Sequence, residues 1–293
     1  MRERLTISHV GAQGDGVAPG PVFVPLTLEG EVAEAEVRDG RAEALTLITP
    51  SPERQEAPCP HFGTCGGCAL QHWQTAPYLA WKGEQVRMAL ARQGLETDIR
   101  PTMGVPPASR CRLALHARRA ADGTVSLGFK GRRSWSLVPI TTCVIADPRL
   151  VEALPRLIPV AAAFLDHPKS APTLHVTLTE TGLDVDVTGV ERRSGGLSAD
   201  RRLQAIRAAE AADLARLSLA GEVLAMRRAP RVRFGPAEVT LPPGGFLQAV
   251  PEAEAAMVAC VLEGVQGAKR IADLFCGAGT FTFPLAGVAP VLA

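Results

Sequence analysis

The segment RIADLFCGAGTFTFPLA, Arg270 to Ala286, carries the clearest topological signal in the chain. Ile271 to Phe275 reads as a buried-type strand. It runs into the turn Cys276-Gly277-Ala278-Gly279, and an apolar helix follows from about residue 280. Strand, glycine turn and helix in that order make the opening unit of a doubly wound parallel sheet. No Gly-Lys-Ser/Thr follows, so the turn is not a phosphate-cradling P-loop. A dinucleotide fingerprint needs a third glycine where this chain has Thr282. The form Asp-Leu-Phe-Cys-Gly-x-Gly suits S-adenosylmethionine better. That ligand has no pyrophosphate, so the turn need only pass close to its adenosine and methionine parts. The competing reading is a tight strand–helix turn without a ligand. Pro290 to Ala293 begins a second strand. One strand and two helices leave an apolar face uncovered.

Upstream of this unit the pattern changes several times. Residues 250–264 read as a helix and 221–240 as strands. Residues 198–219 read as one strong helix with Asp200 near its start, 172–190 as two strands around Thr181-Gly182, and 148–165 as helical. Residues 110–140 alternate as strands with a turn at Asp122-Gly123, and Pro77 to Gln93 forms a helix ended by Gly94. The first 50 residues hold about five short strands separated by turns such as Asp39-Gly40, which suggests a small barrel of the OB kind. Pro50, Pro52 and Pro58 read as a stiff linker after it.

Between the linker and the first helix lies CPHFGTCGGC, which spaces Cys59, Cys65 and Cys68 as C-x5-C-x2-C. Thiolates that share one centre need a tightly folded backbone, and Gly63, Gly66 and Gly67 permit it. Three cysteines leave a four-thiolate centre one ligand short; Cys111, Cys143, Cys260 and Cys276 are the candidates. Cys143 ends a strand pattern, SLVPITTC, which is a firm place to hold a ligand. An open iron site for radical chemistry normally has C-x3-C-x2-C, which this is not. Zinc and an iron–sulfur cluster fit the same thiolates, so spacing alone leaves the metal open. Seven cysteines in a chain without a secretory signal argue against a disulfide framework.

The 293 residues are 46% hydrophobic and 21% charged, which excludes a disordered chain and gives about two domains by length. No stretch approaches the roughly 18 apolar residues of a membrane span, so a soluble cytoplasmic protein is expected. The net charge of +1 hides a strong asymmetry: residues 1–58 are net −5 and residues 59–146 net +7. Such a basic block is either a nucleic-acid surface or a solvated face. Arg110, Arg112, Arg118, Arg119, Arg132 and Arg133 fall in its strand-like part and are the candidates for an RNA-binding face.

Taken together these residues resemble the bacterial iron–sulfur RNA 5-methyluridine methyltransferases, over nearly the whole chain. GAQGDGVAP…VFVPLTLEGE looks like that family's N-terminal TRAM domain, SPERQEAPCPHFGTCGGCALQHWQTAPYLAWK like its cluster segment, and GFKGRRSWSLVPITTC like the segment ending in its fourth cysteine. PPGGFLQA and DLFCGAGTF look like its cofactor site. The resemblance implies a multidomain α+β and α/β protein: an OB-type TRAM barrel over 1–52, a central α+β domain over 53–240, and the start of a Rossmann-like class I methyltransferase domain over 241–293. It implies a 4Fe–4S cluster on Cys59, Cys65, Cys68 and Cys143, and S-adenosylmethionine held by Gln248, Phe275, Gly277, Gly279 and Thr280. Thr280 stands where the family often has Asn, Val250 where it usually has the Asn of F-x-Q-x-N, and Trp135 where a His is common.

In that family a Cys attacks C6 of a flipped-out uracil, C5 takes the methyl group, and a Glu removes the C5 proton. The family keeps both residues in the second half of the methyltransferase domain, beyond the point matched by Ala293. Cys276 sits in the cofactor turn, on the adenosine side, and is not expected to be the nucleophile. The expectation is therefore a fragment that is inactive alone, drawn from an enzyme that is monomeric when intact and acts on structured RNA, rRNA rather than tRNA. The rival expectations are a non-catalytic RNA-binding protein with a structural metal cluster, and one half of a split methyltransferase completed by a second chain.

Overall fold

A computed structural model describes residues 2–167, 170–190 and 197–293. It divides into a first unit, Met1–Gly104 with Gly131–Ser134, and a second, Val105–Lys130 with Trp135–Ala293.

The first unit is built on β1 (Arg2–Thr6), β2 (His9–Val10), β3 (Gly16–Ala18), β4 (Val22–Val24), β5 (Val32–Arg38) and β6 (Arg41–Thr49). They form one sheet in the order β1-β5-β6-β4-β3-β2. Asp39 and Gly40 both have positive φ, 49° and 72°, which is the backbone a two-residue hairpin needs between β5 and β6. Leu5, Ile7, Ala18, Val24, Ala35 and Ala42 bury the sheet's inner face. Helix α1 (Thr75–Ala91) follows; Tyr78 and Trp81 in its first two turns pack on Trp73, Val10 and Leu28. The indole N–H of Trp81 donates to the Val10 carbonyl at 3.1 Å.

The proline-rich stretch after β6 is not a spacer. Its Arg54 reaches the fully buried Glu31, Nε to Oε1 at 2.5 Å and a second guanidinium nitrogen to Oε2 at 2.7 Å. The Ser51 and Leu28 amides donate to the same carboxylate. Burial pushes the Glu31 carboxyl up, but these donors outweigh it and hold it below the usual range. A buried carboxylate demands partners, and that demand ties the segment to the sheet.

The second unit is organised by a seven-stranded sheet, ordered β13-β12-β11-β10-β7-β8-β9. Its strands are β7 (Arg112–Arg119), β8 (Val125–Lys130), β9 (Leu137–Pro139), β10 (Thr173–Thr179), β11 (Gly182–Thr188), β12 (Arg216–Leu219) and β13 (Glu222–Met226). The helices are α2 (Pro148–Glu152), α3 (Leu154–Ala163) and α4 (Ala199–Ala211). Leu157, Val160 and Phe164, with Ala205 and Ala209 of α4, share one core with Leu115, Leu174, Val185 and Leu217.

The helix expected over 198–219 is corrected here. It ends at Ala211, and residues 216–219 are β12. Asp213 takes a left-handed φ of 53°, and the Leu214 amide caps the helix on the Ala209 carbonyl at 3.0 Å. β12 then pairs parallel with β11, so α4 is the crossover of a βαβ unit. All four residues of β12 are buried. Arg216 is tolerated there because Asp184 takes it in a bidentate pair at 2.9 and 2.7 Å.

The chain ends through the hairpin β14 (Arg231–Phe234) and β15 (Ala237–Thr240), helix α5 (Pro251–Gly264), β16 (Ile271–Ala272), α6 (Thr282–Ala286) and β17 (Val291–Leu292). The buried-type strand expected over Ile271 to Phe275 is also corrected. Only Ile271 and Ala272 are paired, in parallel with Val291 and Leu292. Leu274 is 77% exposed and Phe275 fully so. β17 is the one partner of β16 among the described residues, so nothing on its other edge extends the pairing or covers the side chains.

Candidate functional site

The glycine turn is shaped by backbone that other residues resist. Phe275, Gly277 and Gly279 have φ of 61°, 59° and 95°. The Gly279 amide donates to the Cys276 carbonyl at 2.9 Å and closes the turn, and the Phe283 amide then starts α6 on the Gly279 carbonyl at 3.2 Å. A Cβ on Gly279 would lie 2.5 and 2.7 Å from the Phe283 ring, so both its φ and its space require glycine. Thr282 donates its hydroxyl to the Asp273 carboxylate across the turn. The turn therefore stands as a formed loop with Phe275 at its solvent edge.

The segment containing Gln248 is held independently. The Cys111 amide donates to the Ala249 carbonyl at 2.7 Å, and the Cys111 thiol points at the Gln248 carbonyl at 3.7 Å. The Arg112 guanidinium donates to the Leu247 carbonyl at 2.7 Å and the Gly245 carbonyl at 3.3 Å, and lies 5.4 Å from the Phe246 ring centroid. Burial pushes the Cys111 thiol up, which keeps it protonated and structural. Leu247, next to Gln248, packs in one cluster with Phe234 and Leu241, and against Ala278 and Phe283. Hence the two segments expected to bind the cofactor, some 25 residues apart in sequence, meet around one apolar seam.

The cysteine segment is a series of tight turns in the first unit. The Phe62 amide donates to the Cys59 carbonyl at 3.0 Å and the Cys65 amide to the His61 carbonyl at 2.9 Å. Gly63 has φ 88°, and the Gly67 amide donates to the Cys65 sulfur at 3.4 Å. An amide aimed at sulfur is the donor a metal-bound thiolate uses to spread its charge. Cys143 lies in the second unit, half-buried against its main core. Among the described residues no group of three or more His, Cys, Asp or Glu side chains is arranged to hold a metal ion. The donor chemistry suits a cluster, and the assignment of all four ligands stays with the sequence.

Over 294 residues the chain is 60% identical to an uncharacterized RNA methyltransferase of Caulobacter vibrioides, covering 99% of this chain and 71% of that protein. The chain belongs to the RNA methyltransferase family. Within it, an uncharacterized RNA methyltransferase of Brucella suis is 41% identical over 97% of this chain and 68% of its own length. The 23S rRNA (uracil(1939)-C(5))-methyltransferase RlmD of Chromohalobacter salexigens is 32% identical over 96% of this chain and 63% of its own length. The crystal structure of the Pyrococcus abyssi tRNA (uracil-54, C5)-methyltransferase in complex with S-adenosyl-L-homocysteine shares the fold. It matches with TM-score 0.66 and 23% identity over 97% of this chain and 70% of that one. No protein-family model matches the chain.

In this RNA methyltransferase the six arginines proposed for RNA part company. Arg132 and Arg133 belong to the first unit, where with Arg41 they surround the buried Asp15; Arg41 and Arg133 reach its Oδ2 at 2.9 and 3.1 Å. Arg112 is spent on the carbonyls of the Gln248 segment, and Arg110 donates to the Arg112 carbonyl at 3.0 Å. Arg118 and Arg119 line an open cavity in the second unit. Lys130 lines it too and went unsingled in the sequence because one lysine in an Arg-rich block carries no pattern. The clamp by Arg112 was equally invisible, since its acceptors are backbone carbonyls more than 130 residues away. No helix among the described residues is long and apolar enough to cross a membrane.

Proposed function

We propose that this chain serves S-adenosylmethionine-dependent methylation of uracil C5 in RNA, rRNA in preference to tRNA. The observation that carries the reading is the shared packing of Leu247 with Ala278 and Phe283, which joins the Gln248 segment to the glycine turn. Gln248 offers an amide to the polar part of the cofactor, Phe275 an aromatic face, and Gly277 and Gly279 the close backbone approach, with Thr280 beside them. Bound there, S-adenosylmethionine supplies the methyl group. The named activities of the relatives, RlmD above all, support uracil C5 as the acceptor.

Attack on uracil also needs a thiolate at C6 and a base at C5. Cys111 is engaged with the Gln248 carbonyl, and Cys276 lies in the cofactor turn with its sulfur 3.9 Å from the Gly277 carbonyl. The family resemblance places the nucleophile and base outside these 293 residues, and on that reading the chain alone is expected to transfer no methyl group. The test is twofold. Calorimetry should show S-adenosylhomocysteine binding that Gln248→Ala weakens and Gly279→Val removes; affinity indifferent to both variants refutes the site. Radiolabelled methyl transfer to 23S rRNA by the purified chain refutes the assignment of the nucleophile elsewhere.

The four cysteines Cys59, Cys65, Cys68 and Cys143 are proposed as ligands of a 4Fe–4S cluster that serves folding and RNA placement and need do no redox work. The Gly67 amide directed at the Cys65 sulfur supports this. Anaerobic purification should yield about four iron and four sulfide per chain. Equimolar zinc without iron would replace the cluster by a structural zinc site.

A further inference from the structure

The second unit carries a cavity of about 980 Å³ walled by β7, the end of β8, the entry to β9, residues 170–173 and the first turns of α4. Its rim is cationic. Arg118, Arg119, Lys130 and Arg201 line it, and the single carboxylate there, Asp166, is taken by Arg201 at 3.0 Å. Three cations thus face the opening with no acid against them among the described lining residues.

At the same rim stands Trp135, an indole 79% exposed to solvent. Its place is not accidental. Arg118 donates to the Trp135 carbonyl at 3.1 Å, and the Lys130 ammonium sits 3.9 Å from the ring centroid. A large aromatic ring kept in water, with an ammonium against it and its backbone carbonyl held by an arginine, is a binding surface rather than a packing one. His116, which also lines the cavity, shares a hydrogen bond with the Thr173 hydroxyl at 2.9 Å. Burial and the nearby Lys130 and His175 push this imidazole down, so it stays neutral and can donate or accept.

An aromatic face beside phosphate-binding cations is the chemistry that recognises unpaired nucleotides. We propose that this cavity takes an unpaired RNA nucleotide, its base stacked on Trp135 and its phosphate held by Arg118, Arg119 and Lys130. The proposal rests on the RNA reading above but concerns a subsite separate from the glycine turn. A duplex presents no free base face, so single-stranded RNA or a looped-out base is the ligand.

The experiment uses the full chain and a ten-nucleotide fluorescent single-stranded RNA, followed by anisotropy. Trp135→Ala should weaken binding about tenfold, while Trp135→Phe retains most of the affinity because a phenyl ring still stacks. Arg119→Ala and Lys130→Ala should each lower the salt slope by about one. Trp135 makes no core contact, so circular dichroism should show all variants folded. Equal binding by the wild type and Trp135→Ala would overturn this subsite and leave the RNA methyltransferase reading untouched. Equally tight duplex binding with the same Trp135 dependence would also overturn it. Failure of the wild type to bind any RNA would overturn both.

Discussion

Two short parallel strands of the second unit, β12 and β16, differ in what surrounds them. β12 lies between β11 and β13, and all four of its residues are buried, including a charged arginine. β16 pairs with β17 alone, buries neither residue, and leads to the exposed Leu274 and Phe275. Hydropathy alone would rank them the other way, since Arg-Leu-Ser-Leu is the more polar run. Burial is therefore conferred by neighbours on both edges and both faces, not by the strand's own composition. The same contrast runs on along the chain: β12 is part of the core, whereas the backbone after β16 is left open to solvent.

The sharpest way to break this comparison is at Arg216. Arg216→Ala leaves Asp184 buried without its partner and should cost about 3–5 kcal/mol in denaturant unfolding. A loss below 1 kcal/mol would show that β12 is less enclosed than described. Next in size is an effect of pH in the first unit, where burial also governs charge. His72 is buried with both ring nitrogens unpartnered. Burial chiefly, with Arg54 and Arg132 adding to it against Glu31, pulls its pKa from 6.5 down to about 4. The unfolded chain then binds the proton first, so stability is complete above pH 6.5 and falls as pH drops towards 4, by about 2–3 kcal/mol. His72→Phe should flatten that limb in thermal melts at stepped pH, and an unchanged slope would place the proton uptake elsewhere.

Gly279→Ala tests the turn that β16 leads into. The added methyl meets the Phe283 ring and a φ of 95°, so about 1–3 kcal/mol of stability should be lost together with cofactor binding. Retained cofactor affinity would mean the turn is not the binding element. The smallest effect belongs to Leu274→Ala, expected within about 0.5 kcal/mol of wild type because the side chain is 77% exposed. A loss above 2 kcal/mol would show that Leu274 is covered, as it would be by a second chain or by an assembled sheet.

The amino-acid sequence by itself determined many of the local elements. Asp39-Gly40 marks its hairpin, Pro77 and Gly94 bracket α1 to within a few residues, and the strands on either side of Thr181-Gly182 fall where alternation places them. The glycine turn and the C-x5-C-x2-C run were legible because their demands are local: positive φ, close approach, thiols at fixed spacing. Tertiary structure alone decided the rest. It cut the Ala-rich run at Asp213 and made Arg216–Leu219 a strand, because a buried slot beside β11 outweighs helix propensity. It turned the proline stretch into a strap, because buried Glu31 needed Arg54. It divided six similar arginines into braces for Asp15, a clamp on the Gln248 segment and a rim around an open cavity. A side chain's identity is written in the sequence, but its partner is set by distance in space. Such partners lie 23 to more than 130 residues away here.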